Sequence, residues 1–177
     1  MHHINWVAGL VLLGICLPLF ILSVALKPGY LTPVYDYTKI VENALDIGLH
    51  LDNFCSYCEV IKSETSFHCT ICGKCVEYHD HHCPFINNCL GYRNHIYFLL
   101  FIFLYTIYLL VILTDTLRHF TEIFKNTGFK CLYTDSLCTI IVILITLHLP
   151  IFAYQIVQQV GTLCKKQKVT PSQLLNA

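Results

Sequence analysis

Between Cys55 and Cys89 the chain gathers seven of its eleven cysteines together with His68, His79, His81 and His82. The spacing is Cys55-x2-Cys58, then His68-Cys69-x2-Cys72-x2-Cys75, then Asp80-His81-His82-Cys83, and finally Cys89. Thiols and imidazoles in such a run do two kinds of chemistry: they hold a metal, or they attack an electrophile. A structural zinc takes four protein ligands in a closed tetrahedron, commonly three cysteines with one histidine, or four cysteines. Two sites of the mixed kind would use six of these cysteines and two histidines and leave one thiol over. A split of seven cysteines with one histidine would leave none, and the count alone admits both.

The elements that must position these residues are apolar. Of 177 residues, 55% are hydrophobic and 12% charged, with a mean hydropathy of +0.59. A soluble domain carries about a quarter charged residues, so this is the composition of a membrane protein. Formal net charge is zero and the pI is 7.1, which provides no electrostatic footprint for nucleic acid. Three stretches are long enough to cross a hydrocarbon core: residues 1–26, with the apolar run starting at Trp6, then 96–114 and 137–157. The first lacks a basic leading region and exceeds the length of a signal-peptide core.

A three-span arrangement puts Lys27, Lys39, Lys62, Lys74, Arg93, Lys165, Lys166 and Lys168 on one side of the membrane and Arg118, Lys125 and Lys130 on the other. The positive-inside rule makes the first side cytosolic. The expected organisation is therefore a cytosolic linker with an interfacial helix (27–54), a zinc-binding domain (55–95), a lumenal loop (115–136) and a cytosolic tail (158–177). A reducing compartment favours zinc over disulfides for the clustered cysteines. In the linker, Ile40, Ala44, Ile47 and Leu51 form one helical stripe.

The run from Cys55 through "HCTICGKC" and "DHHCPFINNC" to Asn94 and Phe98 resembles the cysteine-rich domain of the DHHC family of protein S-acyltransferases. The resemblance implies an α-helical integral membrane protein whose cytosolic two-zinc domain sits between the first and second of its helices. Carried over position by position, it implies one zinc on Cys55, Cys58, His68 and Cys75 and a second on Cys69, Cys72, His82 and Cys89. Both would be structural, because closed four-ligand sites offer no open position. Cys83 is then the nucleophile, His81 its base, and Asp80 the acid that orients the imidazole.

The reaction implied is transfer of a long-chain acyl group (palmitoyl) from acyl-coenzyme A to Cys83 and on to cysteine thiols of membrane-proximal proteins. The location implied is a multi-pass protein of the endoplasmic reticulum or Golgi membrane. Phe98, Phe101, Tyr105 and Tyr108 recur at three and four residues on one helical face, and by resemblance this face, with Asn94, binds the acyl chain. A sixteen-carbon chain would contribute at most on the order of 10 kcal/mol on burial.

Lys62, Lys74, Arg93 and the tail from Lys165 to Lys168 are available for the coenzyme's phosphates, although such residues also enforce topology. His79 reads as a solvated loop residue, His148 as a neutral histidine bonded to a neighbouring helix, and Cys16, Cys131, Cys138 and Cys164 as small apolar fillers.

Several positions depart from the family pattern. Family members generally have four spanning helices, so this sequence reads as a short form without the first. Lys27-Pro28-Gly29 stands for Asp-Pro-Gly, Phe85 for tryptophan, and Thr170-Pro171-Ser172-Gln173 for Thr-Thr-x-Glu. The alternative reading of the same residues is a non-catalytic, zinc-stabilised membrane adaptor.

Overall fold

A computed structural model describes residues 2–48, 50–130 and 136–166. Three long helices dominate: α1 (His2–Ala25), α3 (His95–Thr127) and α4 (Ser136–Lys166), with the short α2 (Tyr37–Asp46) between the first two. Stretches Val7–Ala25, His95–Lys130 and Ser136–Thr162 are long and apolar enough to cross a membrane. The chain is thus a multi-pass membrane protein. The long helices are apolar on nearly all sides, as expected where lipid rather than water surrounds a helix.

The expected lumenal loop is mostly helix. Beyond Thr114, α3 continues to Thr127 and closes with a 3-10 turn at Gly128–Lys130, while residues 131–135 lie outside the described part. Hydropathy reports the length needed to cross hydrocarbon, whereas backbone hydrogen bonding sets how far the helix itself runs. At 33 residues α3 is about 50 Å long, against a hydrocarbon core of about 30 Å. Likewise α4 continues past Val157 to Lys166. Cys131, the side chain of Cys164, the tail cations Lys165 to Lys168 as ligands, and Thr170 to Gln173 fall outside what is described.

The interfacial stripe is cut short. Gly48 (φ 72°) takes the left-handed conformation and its N–H closes on the Leu45 carbonyl at 3.0 Å, ending α2 at Asp46. Ala44 is buried and Ile40 and Leu51 are half-buried, whereas Ile47 is exposed and Leu51 begins a separate 3-10 turn, Leu51–Asn53.

Three antiparallel hairpins follow: β1 (Phe54–Cys55) with β2 (Val60–Ile61), β3 (Phe67–Cys69) with β4 (Lys74–Val76), and β5 (His82–Cys83) with β6 (Asn88–Cys89). Each turn uses one left-handed residue: Glu59 (φ 53°), Gly73 (63°) and Asn87 (46°). Two-residue strands are far too short to be stable alone. Their buried clusters are built from the cysteines themselves: Cys55 and Cys75 around Val60, and Cys69 and Cys89 around Val76.

By compactness the chain divides into two units, residues 20–98, which contain all three hairpins, and residues 1–19 with 99–177. In the first unit the segment leaving α1 is sewn to the hairpins by its backbone. Leu31 N–H donates to the Cys75 carbonyl (2.9 Å), Glu77 N–H to Gly29 (2.8 Å), and Arg93 N–H to Pro28 (3.2 Å). Gly91 sits beneath this crossing. A Cβ there would lie 2.5 Å from the Pro28 oxygen, 2.6 Å from Val76 Cγ1 and 2.9 Å from the Glu77 oxygen.

Candidate functional site

The hairpin register sorts the cysteine-rich residues into two faces. In β3–β4, His68 stands opposite Cys75 and Cys69 opposite Lys74. Side chains alternate along a strand, so adjacent His68 and Cys69 point to opposite faces. Two groups of potential ligands result: Cys55, Cys58, His68 and Cys75, and Cys69, Cys72, His82 and Cys89, the ligand atoms of each lying within 4.8 Å of one another.

Both groups have the dimensions of a tetrahedral zinc site. His68 Nδ1 is 3.5 Å from Cys55 Sγ, 3.3 Å from Cys58 Sγ and 3.7 Å from Cys75 Sγ. His82 Nδ1 is 3.8, 3.3 and 3.7 Å from the sulfurs of Cys69, Cys72 and Cys89. Zinc bonds of ordinary length in a tetrahedron separate sulfur from nitrogen by about 3.5 Å. The donor chemistry fits as well. Burial and the neighbouring sulfurs of Cys55 and Cys58 push the Cys75 thiol up to about 12, an energetic cost that a divalent cation at the centre reverses. Cys72 N–H donates to Cys69 Sγ at 3.4 Å, and Tyr57 stacks on the His68 ring at 5.5 Å between centroids.

The third hairpin repeats the alternation with a different outcome. His82 pairs with Cys89 and both face the second ligand group; Cys83 pairs with Asn88 on the other side. Backbone bonds from Asp80 N–H to the Leu90 carbonyl and from Leu90 N–H to the His81 carbonyl, each 2.9 Å, extend the pairing outward. His81 and Cys83, two residues apart in extended chain, therefore share a face, near enough for each to influence the other's protonation.

Asp80 completes the set. Its Oδ2 accepts from His81 Nδ1 at 2.9 Å, which leaves Nε2 for the thiol; the Asp80 side chain is 8% exposed and that of His81 45%. The hydrogen bond to Asp80, then the neighbouring Cys83 sulfur, raises His81 to about 9 against the opposing effect of burial. Burial works against the Cys83 thiolate, but the neighbouring His81 imidazole and the backbone N–H groups of Ile86 and Phe85 outweigh it, holding the thiol below its ordinary value. The sulfur is buried, 1% exposed, and belongs to neither ligand group. A thiol with a lowered pKa beside an oriented imidazole is an activated nucleophile.

The residues expected to bind the acyl chain are distributed differently. Asn94 is fully buried: its Oδ1 accepts from Gly91 N–H at 3.0 Å, and its Nδ2 donates to the carbonyls of Cys89 (2.9 Å) and Ser23 (3.2 Å). Its amide is thus occupied by backbone. Phe98 is buried in the same unit. In the other unit, Phe101 stacks on Tyr105, and Tyr105 packs against Tyr108 and Phe152. Tyr108 lines a cavity of about 410 Å³ with Leu10, Leu13, Ile112, Leu137 and Ile141.

Three smaller expectations change. His79 is half-buried and stacks on Phe67 at 5.6 Å instead of standing in solvent, because its N–H is drawn to the Thr65 carbonyl. His148 Nδ1 bonds the Leu144 carbonyl of its own helix at 2.6 Å, one turn back, where a helical side chain naturally points. Lys74 Nζ lies 4.8 Å over the Tyr30 ring. Reading the sequence overlooks Asn88 and Gly91. The doubled asparagine of "INNC" and the glycine two residues after Cys89 were the available signals.

Fold and site together define a multi-pass membrane protein with two cysteine-histidine clusters that could each hold a metal ion and, outside both, one buried cysteine two residues from an Asp-paired histidine. The family described as DHHC palmitoyltransferase matches residues 49–173, and the chain belongs to it. The chain is similar to Palmitoyltransferase ZDHHC2 of Homo sapiens, 36% identical over 90 residues, which cover 51% of this chain and 23% of that protein. It is also similar to Probable protein S-acyltransferase 14 of Arabidopsis thaliana (36% over 94 residues, 48% and 30%) and to Palmitoyltransferase akr1 of Schizosaccharomyces pombe (32% over 95 residues, 50% and 14%). The chain spans less than a third of the length of these curated relatives.

Proposed function

We propose that this chain is a protein S-acyltransferase that loads a long-chain acyl group from acyl-coenzyme A onto Cys83 and passes it to cysteines of proteins at the membrane surface. The observation that carries this reading is the Asp80–His81–Cys83 relay, held on the face of β5 opposite the metal-binding pair His82 and Cys89.

In the first step the Cys83 thiolate attacks the thioester carbonyl. The bond from carbonyl carbon to the coenzyme sulfur breaks, and the coenzyme thiol departs with the proton held by His81. In the second, a target thiol gives its proton to His81 and attacks the acylated Cys83, whose sulfur leaves as thiolate. Asp80 keeps the imidazole in the required tautomer throughout. Thioester is exchanged for thioester, so the protein's contribution is positioning and exclusion of water rather than driving force. Cys55, Cys58, His68 and Cys75 would hold one zinc, and Cys69, Cys72, His82 and Cys89 the other; the metals supply rigidity to the hairpins.

The aromatic face from Phe98 through Phe101 to Tyr108 is the proposed path for the acyl chain. Eight basic residues on one side against three on the other support a cytosolic site, in the endoplasmic reticulum or Golgi membrane. The test is direct: detergent-purified protein given a clickable palmitoyl-coenzyme A should acquire a hydroxylamine-labile label that Cys83→Ser abolishes, with zinc remaining near two per chain. A drop of one zinc in that variant would mean that Cys83 is a ligand, and the proposal would be lost.

A further inference from the structure

The hairpin bearing Cys83 is fastened to a spanning helix by a side chain of its own, Asn88, beside the bridge that Asn94 makes from Cys89 to Ser23. Asn88 Nδ2 donates to the Val24 carbonyl at 3.1 Å and to the Leu26 carbonyl at 3.0 Å, while its Oδ1 accepts the Cys89 N–H at 2.9 Å. A carboxamide has two N–H donors. Both go to the same place, the C-terminal end of α1, where the last carbonyls of any helix lack partners within it. The Leu22 carbonyl is closed by Leu26 N–H and that of Ser23 by Asn94, so Asn88 takes those that follow.

Position makes this bond pair consequential. Residues Val7–Ala25 are the stretch of α1 long and apolar enough to cross a membrane, and Val24 and Leu26 lie at its end. Directly opposed residues in an antiparallel pair are about 5 Å apart, and the partner of Asn88 across β5–β6 is Cys83. The metal ligands His82 and Cys89 fix this hairpin to β3–β4 on its other face. On the face of Cys83, Asn88 fixes it to the membrane-spanning helix.

We infer that Asn88 is a positioning residue for acyl transfer: its two donors set the depth of the Cys83 sulfur relative to the end of α1, matching the nucleophile to a thioester held at the membrane boundary. This rests on the reading of Cys83 as the nucleophile.

The test uses the full chain in lipid nanodiscs with palmitoyl-coenzyme A and the variants Asn88→Gln, Asn88→Ala, Asn88→Asp and Cys83→Ser. All Asn88 variants should keep two zincs. At saturating donor the loading rate should fall at least tenfold in Asn88→Ala, further in Asn88→Asp and least in Asn88→Gln. The isosteric carboxylate loses both donors and faces carbonyls at the negative end of a helix. Half-saturation by the donor should move less than twofold, since Asn88 does not hold it. A second readout needs no transfer: the ratio of Cys83 alkylation by a lipid-soluble and by a membrane-impermeant maleimide, read at that peptide, should shift at least threefold in Asn88→Ala and Asn88→Asp.

Loading and alkylation ratios in Asn88→Asp equal to the unaltered chain would overturn the inference. So would equal losses in Gln and Asp variants, or loss of a zinc in both Asn88→Ala and Asn88→Gln, which would make Asn88 part of the fold alone. Continued acylation of Cys83→Ser would overturn the nucleophile reading itself. A silent Cys83→Ser with fully active Asn88 variants overturns only the role of Asn88.

Discussion

The hairpin region and the helical spans reach order by opposite routes. Between Phe54 and Cys89 the strands are two or three residues long, and the side chains buried between them are largely cysteines of the two potential ligand groups. Along the spans the helices are 24 to 33 residues long, yet only 17% of the α1 and α3 windows and 6% of the α4 window is buried within the protein. On the proposed reading, metal stands in for a hydrophobic core in one region and lipid in the other. Cys83, set among the hairpins, would thereby gain rigidity without a large domain around it.

If the comparison is right, the largest effect comes from breaking a metal site. Cys75→Ser should lower zinc from two per chain to one and remove folding free energy on the order of 10 kcal/mol from the hairpins. Limited proteolysis should then cut between residues 54 and 89, while helical circular dichroism stays near its original value. A Cys75→Ser protein that keeps both zincs would contradict the proposed ligand sets.

His81→Ala leaves the metals untouched and removes the proton carrier. Acyl loading should drop by roughly 100- to 10,000-fold, the range of general acid–base contributions, at unchanged zinc content. A loss of less than about fivefold would show that the thiol needs no partner.

Gly91→Ala probes the crossing of Pro28, Val76 and Glu77, where backbone oxygens on two sides leave no room for a methyl group. A destabilisation of about 1–3 kcal/mol is expected, read as easier zinc release to a chelator. Wild-type release kinetics would mean the crossing is loose. The smallest effect on the hairpins should come from the lipid side: Leu147→Asn, at an exposed position of α4, should reduce membrane insertion of that helix while zinc content and chelator resistance stay as they were.

How much of this is legible in the sequence depends on the reach of each interaction. Spacing leaves two ligand splits open, and the family resemblance singles out the eight residues that the hairpins gather into two clusters; CxxC turns and strand alternation, being local, bring them there. The pairing of Asp80 with His81 is equally local. Asn88 escaped notice because its partners lie 64 and 62 residues earlier, and nothing in the periodicity of either segment points to the other. Gly91 escaped for the same reason. The far ends of α3 and α4 are not legible from hydropathy, which measures hydrocarbon thickness, whereas helices end where capping and turn residues stop them.

The adjacency of His68 and Cys69, which fall in different ligand groups, creates an assembly hazard for a chain that takes up zinc. A wrong set of four sulfurs, Cys55, Cys58, Cys69 and Cys72, has two CxxC knuckles and the ligand count of a common zinc ribbon. What rules it out is the register of β3 against β4, which aims His68 with Cys75 and turns Cys69 away. Until that hairpin closes, His68 and Cys69 have no fixed faces, so a zinc-loaded chain would need strand registration before or during metal capture to reach the two groups seen here.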